Sequence, residues 1–277
     1  MLPWNYGFHW TPATMIFLGA FYTVLVVLAT TVMYAMLRSR RVLAADETED
    51  VKWHSDFHDL PSHDRACRHV LMGELSHREC PNAFDCRKCE QHARIVERHP
   101  VRQPNETEEE ILGMSFPLDR YYHRGHAWAH PEADGTMTVG LDELGSRLLG
   151  VPDAMELPPP GTRLQVNGTA FRMRTHGADV RVLSPVDGEV VETGGAGRAW
   201  YLKVKPLAGG FDVRHLLRGA EVHAWLMREM ERLQLTLSAE GAMSPTLADG
   251  GVPVADIGAG YPEADWDAVC GEMFLEP

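Results

Sequence analysis

Residues 184–192 read Ser-Pro-Val-Asp-Gly-Glu-Val-Val-Glu, which is the pattern of a turn followed by a short β-strand. We expect Gly188 to adopt a positive φ in this turn, because glycine does so without steric cost. The valines that follow favour a strand over residues 189–192. Similar runs, separated by Gly, Pro and Asp turns, occur at 137–141, 180–183 and 200–204. Residues 118–206 are therefore predicted to be mainly β.

The segment after this β-rich region predicts one amphipathic helix over residues 219–233. Apolar residues recur there at intervals of three and four, with charged residues between them. These apolar residues are Val222, Trp225, Leu226, Met230 and Leu233. Beyond Arg232 every charged residue is acidic, so residues 236–277 are predicted to form a partly ordered, solvated acidic tail. An irregular extension that packs on the domain, or a segment that binds a basic partner, is the alternative. Cys270, alone in that tail, is expected to be a buried thiol.

The N-terminal part of the chain predicts a membrane anchor. Residues 14–37 are uncharged, and a helix of that length crosses the roughly 30 Å hydrocarbon layer of a bilayer. A signal peptide would have a basic start, a shorter apolar core and a small-residue cleavage site. We therefore expect a retained single-pass helix that contacts the lipid bilayer. Arg38, Arg40 and Arg41 follow it, whereas residues 1–13 lack Lys and Arg, which predicts an outside N-terminus and cytoplasmic soluble domains.

Changes of composition divide the chain into four predicted parts. They are an anchor at 1–41, a Cys/His-rich segment at 42–104, a β-rich domain with its helix at 105–235, and the acidic tail at 236–277. The net charge of −13 arises from 26 Lys+Arg against 39 Asp+Glu. A broad nucleic-acid surface needs clustered positive charge, so no nucleic-acid partner is expected.

Four cysteines of the second part predict a metal site. Cys67, Cys80, Cys86 and Cys89 are spaced C-x12-C-x5-C-x2-C. Thiolates are soft ligands for Zn or iron–sulfur clusters, and disulfides are rare in a reducing cytoplasm. Zn and a [4Fe–4S] cluster both remain open, although the x12 gap matches no ferredoxin spacing and favours Zn. Four unrelated, reduced and buried thiols are the alternative.

Four segments of the chain occur in the order in which one known family carries them. They are Tyr-His-Arg-Gly-His-Ala-Trp at 122–128, Gly-Thr-Met-Thr-Val-Gly-Leu-Asp-Glu at 135–143, Leu-Gly followed by Glu-Leu-Pro-Pro-Pro-Gly within 149–161, and the segment 184–192. Together they resemble the glycine cleavage H protein, a member of the biotinyl/lipoyl family. The resemblance implies a mainly β barrel-sandwich hybrid with a C-terminal helix. In this chain a transmembrane helix and a small Cys-rich, metal-binding module would precede it.

The chain departs from this family at the position that carries the prosthetic group. In the family a lysine on a hairpin, within the sequence E-S-V-K-A-A, bears lipoate. Counting back from Ser184 without gaps places Gly177 there, and no lysine lies between Lys88 and Lys203. Lipoylation requires a lysine ε-amine, so we expect no lipoate on this chain. The neighbouring His176 is either an ordinary surface histidine or a metal ligand or proton shuttle.

The remaining motifs give no reason to expect an enzyme. The sequence contains no nucleophile elbow, phosphate-binding loop or HExxH motif, so no catalytic residue is assigned. The favoured function is a membrane-anchored, non-catalytic adaptor or accessory subunit with a tetrathiolate metal site and an unknown protein partner. An iron–sulfur redox or sensing component of a membrane respiratory complex is one alternative. A glycine-cleavage aminomethyl carrier is the other, and Gly177 contradicts it.

Overall fold

The computed structural model describes residues 11–44, 57–98, 110–195, 198–207, 209–239 and 253–275. Contacts divide the chain into two units, Met1–Trp53 and His54–Pro277. The predicted boundary at residues 104–105 and residues 240–252 of the predicted tail lie outside the described residues.

The described part of the first unit is one long helix, α1 (Pro12–Ala44). Its stretch Pro12–Tyr34 has 23 residues and a mean hydropathy of 2.2, and none of it is buried. By length and composition this stretch can cross a membrane. A signal sequence near an N-terminus meets the same two criteria. The side chains of Arg38, Arg40 and Arg41, on which the predicted orientation rests, lie outside the described residues.

The second unit contains a sheet-rich domain, as predicted. Its strands are β1 (Glu110–Ile111), β2 (Met114–Ser115), β3 (Tyr121–Tyr122), β4 (Ala127–Pro131), β5 (Met137–Leu141), β6 (Ala154–Glu156), β7 (Arg163–Leu164), β8 (Thr169–Thr175), β9 (Ala178–Leu183), β10 (Gly188–Thr193) and β11 (Leu202–Lys205). One sheet has six strands in the order β3-β4-β5-β11-β10-β7, and a second has three in the order β6-β8-β9. β1 and β2 form a separate short pair. All pairings are antiparallel.

Strand β10 lies where the sequence predicts it, but Gly188 is required there for a different reason. Val186, Val190 and Val204 are buried, as a small sheet interior requires. Gly188 is not among the residues with positive φ, so that expectation is wrong. A Cβ at Gly188 would lie 2.4 Å from Cγ1 of Val204 and 2.5 Å from the carbonyl oxygen of Lys205. Glycine is therefore needed here because β11 passes too close for a side chain.

The described residues of the second unit form six α-helices. They are α2 (Arg68–Leu71), α3 (Glu90–Arg98), α4 (Glu143–Leu149), α5 (Ala220–Ala239), α6 (Ile257–Gly260) and α7 (Trp266–Met273). All five apolar residues predicted for the inner face of α5 are buried. The helix continues to Ala239 because Leu237, also buried, extends the same apolar stripe by one turn.

The prediction of a solvated tail is wrong for residues 253–275. Trp266, Val269, Cys270 and Met273 recur at helical spacing on α7, and all are buried in the main core. Asp265 caps this helix by accepting hydrogen bonds from the backbone N–H groups of residues 267 and 268. The acidic composition obscured the apolar stripe, which is the feature that determines packing. Cys270 is buried, as expected.

Candidate functional site

The hairpin of β8 and β9 turns at the two residues on which the functional prediction rests. Thr175 pairs with Ala178, which leaves His176 and Gly177 as a two-residue turn with φ of 49° and 82°. Positive φ at both central positions is typical of the tight turns that suit twisted hairpins. Gly177 is exposed, and a Cβ there would meet no atom within 4 Å. A side chain at this position would therefore extend into open space.

The His176 side chain packs against the C-terminal segment and keeps only 22% of its exposure. Its ring centroid lies 5.3 Å from that of Trp266, and its Nε2 lies 3.5 Å from Oδ1 of Asp256. A Cβ on Gly258 would lie 2.0 Å from the same Nε2. Helix α6 thus approaches the ring as closely as a glycine permits. His176 is a packing residue with one carboxylate neighbour.

The structure brings three of the four predicted cysteine ligands into one buried region. Cys67, Cys80 and Cys86 are buried and interact electrostatically with one another. Cys89 is half-buried, and its Sγ accepts a hydrogen bond from Nη2 of Arg78 at 3.8 Å. All four are free thiols. Within the described ranges, no group of three or more His, Cys, Asp or Glu side chains is arranged to hold a metal ion, so the Zn or [4Fe–4S] site stays a prediction.

Burial and nearby donor groups shift the pKa values of these thiols in opposite directions. Burial raises the pKa of the Cys86 thiol to about 11, although the hydrogen-bonded Arg68 guanidinium acts to lower it. Burial also raises the pKa of the Cys80 thiol, against hydrogen bonds from the backbone N–H groups of Asn82 and Phe84. Without a metal, both thiols are therefore protonated at neutral pH.

Polar contacts fasten the described part of the cysteine-rich segment to the sheet domain. They join Arg68 to Glu221, Arg124 to the carbonyl of Ala66, Asn167 to the carbonyl of Ala83, Arg87 to Asp187, and Arg232 to Asp64. A small apolar cluster of Leu60, Cys80, Phe84, Leu183 and Leu275 supports them. This segment is packed as part of the second unit.

A group of buried charged side chains, which the sequence analysis missed, lies at the inner face of α5. Nδ1 of His126 lies 3.0 Å from Oδ2 of Asp142, and Nη1 of Arg232 donates to Glu229 at 2.7 Å. Nε1 of Trp225 also donates to Glu229, at 2.9 Å. Burial lowers the pKa of His126, but the carboxylates of Asp142 and Glu229 outweigh burial and raise it. One feature of the sequence could have indicated this group: Glu229 follows Trp225 by four positions and therefore falls on the apolar stripe of α5.

His123 is also buried but, unlike the side chains of this group, it is uncharged. Its Nε2 lies 2.8 Å from Oδ1 of Asn167, and its Nδ1 accepts a hydrogen bond from the backbone N–H of Gly125 at 3.1 Å. One ring nitrogen therefore donates and the other accepts, which is the arrangement of a neutral imidazole. Burial and the nearby His215 lower the pKa of His123 to about 3.

The β-rich region is similar to proteins of one known family. The family model for the glycine cleavage H-protein matches residues 120–196. Glycine cleavage system H protein 2 of Pseudomonas syringae pv. tomato is 33% identical over 118 residues, which are 38% of this chain and 92% of that protein. The H protein of Thiobacillus denitrificans is 34% identical over 119 residues, which are 39% of this chain and 92% of that protein.

A solved structure gives a match over the same share of the chain. The crystal structure of a glycine cleavage system H protein from Mycobacterium marinum has a TM-score of 0.33 and 22% sequence identity, and the match covers 40% of this chain and 98% of that one. The relatives from Pseudomonas and Thiobacillus are matched over nearly their whole length at more than 30% identity. The chain therefore belongs to the glycine cleavage H-protein family.

Proposed function

We propose that this chain is a membrane-anchored H-protein-type docking protein, an adaptor or accessory subunit that carries no lipoate and catalyses no reaction. The observation that carries the proposal is the absence of any lysine between Lys88 and Lys203, a span that includes the whole family match at 120–196. Lipoate is attached through an amide to a lysine amine, so the matched region offers no attachment point. A domain of this kind acts through its surface and not through a moving arm.

The names of the relatives, taken alone, favour the other reading, an aminomethyl carrier of glycine cleavage. Two features of this chain argue against it. Gly177, which we equate with the family's lipoyl-lysine, offers no amine at the exposed tip of the hairpin. The adjacent His176 is held against Trp266 and Asp256, so the C-terminal segment occupies one side of that tip. A carrier arm would need this region free for its partners.

Membrane attachment is the second part of the proposal. Its support is the length and hydropathy of Pro12–Tyr34, together with the absence of burial for that stretch. Deletion of residues 1–41 should move the protein from the membrane fraction to the soluble fraction. In sealed vesicles with the cytoplasmic face inside, residues 54–277 should resist added protease.

The mass of the intact chain tests the central claim. We expect the wild-type chain, purified from cells supplied with lipoate, to have the mass of the unmodified polypeptide. A lipoyl group on the wild-type chain would overturn the proposal and establish the carrier function.

Two variants test whether Gly177 is the counterpart of the lipoyl-lysine. Gly177→Lys places an amine at the exposed turn and should accept a lipoyl group in the same cells. Arg174→Lys, exposed on the adjoining strand, is the matched control and should remain unmodified. Modification of the control alone would contradict the alignment.

A further inference from the structure

Arg232 joins three parts of the chain at one buried guanidinium. Its Nη1 donates to Glu229 on the same helix at 2.7 Å, and its Nη2 donates to the carbonyl of Glu272 in the C-terminal segment at 2.6 Å. Its Nε lies 3.0 Å from Oδ1 of Asp64 in the cysteine-rich segment. The side chains of Arg232, Glu229 and Asp64 are at most 3% exposed. Because water is excluded, these charges interact strongly and attach both segments to α5.

His126 extends this group into the sheet domain. Its Nδ1 lies 3.0 Å from Oδ2 of Asp142, and its Nε2 lies 4.0 Å from Oε2 of Glu229. The side chains of all three residues are fully buried. The ring of Trp225 lies 5.3 Å from the imidazole, and the ring of Phe274, from the C-terminal segment, lies 5.5 Å from it. A carboxylate therefore faces each ring nitrogen inside an apolar enclosure.

Both carboxylates also accept hydrogen bonds from other donors. Oδ1 of Asp142 accepts one from the backbone N–H of Gly145 at 2.7 Å, and the two oxygens of Glu229 accept one each from side chains of α5. An ionised carboxylate only accepts hydrogen bonds, which fits both groups. Nδ1 of His126 must then donate to Asp142, and a neutral ring would turn the lone pair of Nε2 toward Glu229. A protonated Nε2 instead meets an opposite charge.

A count of the buried charges leads to the same protonation state. Among the described residues, the buried carboxylates are those of Asp64, Asp142 and Glu229. The buried guanidinium groups of the same ranges are those of Arg68, Arg124 and Arg232. Arg68 has its own partner, Glu221, which is less completely buried. The other two guanidinium groups leave one negative charge without a buried counterpart, and an imidazolium at His126 supplies it.

The charged groups packed around His126 act on its proton in opposite directions. Burial and Arg232 lower its pKa, whereas Asp142 and Glu229 raise it above its ordinary value. The C-terminal segment contributes the apolar ring of Phe274. In an unfolded chain the pKa of histidine is about 6.5. Above this pH the folded chain keeps a proton that the unfolded chain has lost, so the stability that the proton contributes disappears as the pH rises through the folded pKa.

We propose that His126 is a proton-dependent latch, which as an imidazolium holds α5 and the C-terminal segment on the sheet domain and on losing its proton at alkaline pH loosens that segment. Deprotonation leaves a buried negative charge at Glu229 that Arg232 alone has to balance. Admitting water to this charge relieves it, and water can enter when Arg232 leaves the carbonyl of Glu272 and the ring of Phe274 moves off the imidazole.

The segment that the latch holds also covers the hairpin turn. Trp266 and Asp256 belong to the same C-terminal segment as Phe274, and both lie against His176. Opening of the latch therefore uncovers the turn of the β8–β9 hairpin. This inference goes beyond the proposed function and does not depend on it, because it concerns how the chain holds its own C-terminal segment.

Nuclear magnetic resonance of the full-length protein in detergent, with isotope-labelled histidine, tests the protonation state. The contact of the His126 ring with Trp225 assigns its signals without a mutation. We expect a proton on both ring nitrogens at pH 7 and loss of the Nε2 proton at higher pH. A ring that is already neutral at pH 7 overturns the proposal.

Hydrogen exchange of the same full-length protein measures release of the segment. Protection of the amides of α7, corrected for the intrinsic effect of pH, should fall between pH 7 and pH 9 by at most about tenfold per pH unit, the limit for one proton. His126→Gln should lose this dependence. His223→Gln, which changes an exposed histidine of α5, is the matched control and should behave as the wild type.

A third variant changes the pH at which the latch opens. Glu229→Gln removes one of the two carboxylates that favour the imidazolium, so His126 should lose its proton at a lower pH and α7 should lose protection earlier. Protection that does not depend on pH in the wild type overturns the proposal. So does the same dependence in the wild type and in His126→Gln.

Discussion

Oδ1 of Asp256 lies 3.5 Å from Nε2 of His176, which places the C-terminal segment against the turn of the β8–β9 hairpin. The same carboxylate caps α6 by accepting a hydrogen bond from the N–H of Ala259 at 2.9 Å. Its other oxygen would lie 2.6 Å from a Cβ at Gly150, the residue that ends α4. One side chain thus joins the hairpin tip to the ends of two helices.

The close approach of α6 to His176 leads to a stability prediction. Gly258→Ala should lower the free energy of unfolding by about 1–3 kcal/mol, because its Cβ would lie 2.0 Å from Nε2 of His176 and force the ring or the helix to move. Urea denaturation of the full chain in detergent, followed by circular dichroism, measures the change. Hydrogen exchange at residues 174–180 should also become faster.

Gly260→Ala is the matched control for this prediction. Gly260 lies in the same helix, but a Cβ there meets no atom within 4 Å. Its free energy of unfolding should stay within about 0.5 kcal/mol of the wild-type value. Equal stability of the two variants would show that α6 does not rest on the hairpin tip.

The attachment of the cysteine-rich segment depends on an ion pair that is mostly buried. The side chains of Arg68 and Glu221 are 8% and 17% exposed, and Arg68 also donates to the carbonyl of Arg214 at 2.7 Å. Arg68→Ala should therefore cost about 3–5 kcal/mol, because Glu221 would be left without its partner. The loss is measured by urea denaturation, and limited proteolysis should cut residues 57–98 first.

An exposed ion pair of the same segment provides the comparison. Arg94 and Glu90 are 61% and 84% exposed, and such pairs contribute about 0–1 kcal/mol. Arg94→Ala should therefore have nearly wild-type stability. If Arg68→Ala were equally mild, the segment would not be held to the domain by this contact.

Local patterns allowed much of the fold to be predicted. The alternation and turn residues located β5, β9, β10 and β11, and the spacing of apolar residues located α5 with its buried face. These features depend on residues a few positions apart, so a sequence displays them directly. The same apolar spacing is present in α7, but the acidic residues around it favour a solvated tail and mask the pattern.

The rest depends on contacts between distant parts of the chain. Arg68 and Glu221 are 153 positions apart, and no local pattern links them. The meaning of Gly188 likewise depends on Val204, which crosses it on another strand. The structure buries Cys67, Cys80 and Cys86 and places Gly177 at a hairpin turn, while the roles that the sequence predicts for them stay predictions. The sequence did not identify Arg124, because a single arginine after a strand gives no sign that it will be buried.

The neutral, buried His123 predicts how stability depends on pH. Its pKa is lowered to about 3 in the folded chain, against about 6.5 in an unfolded chain. Between these values the unfolded chain binds a proton that the folded chain does not, so stability falls as the pH falls below about 6.5. One proton corresponds to about 1.4 kcal/mol per pH unit, and this contribution vanishes above pH 6.5.

Comparison of wild type with His123→Gln isolates this effect, because contributions from the other histidines cancel. The variant loses the contact with Asn167 or Gly125, or both, and should be less stable at pH 7. Between pH 7 and pH 5 its deficit should shrink by about 2 kcal/mol, since only the wild type keeps the unprotonated ring. Urea denaturation at pH 7, 6 and 5 measures both free energies of unfolding. A deficit that stays constant over this range would mean that His123 takes up a proton as readily in the folded chain as in the unfolded chain, contrary to its hydrogen bonds.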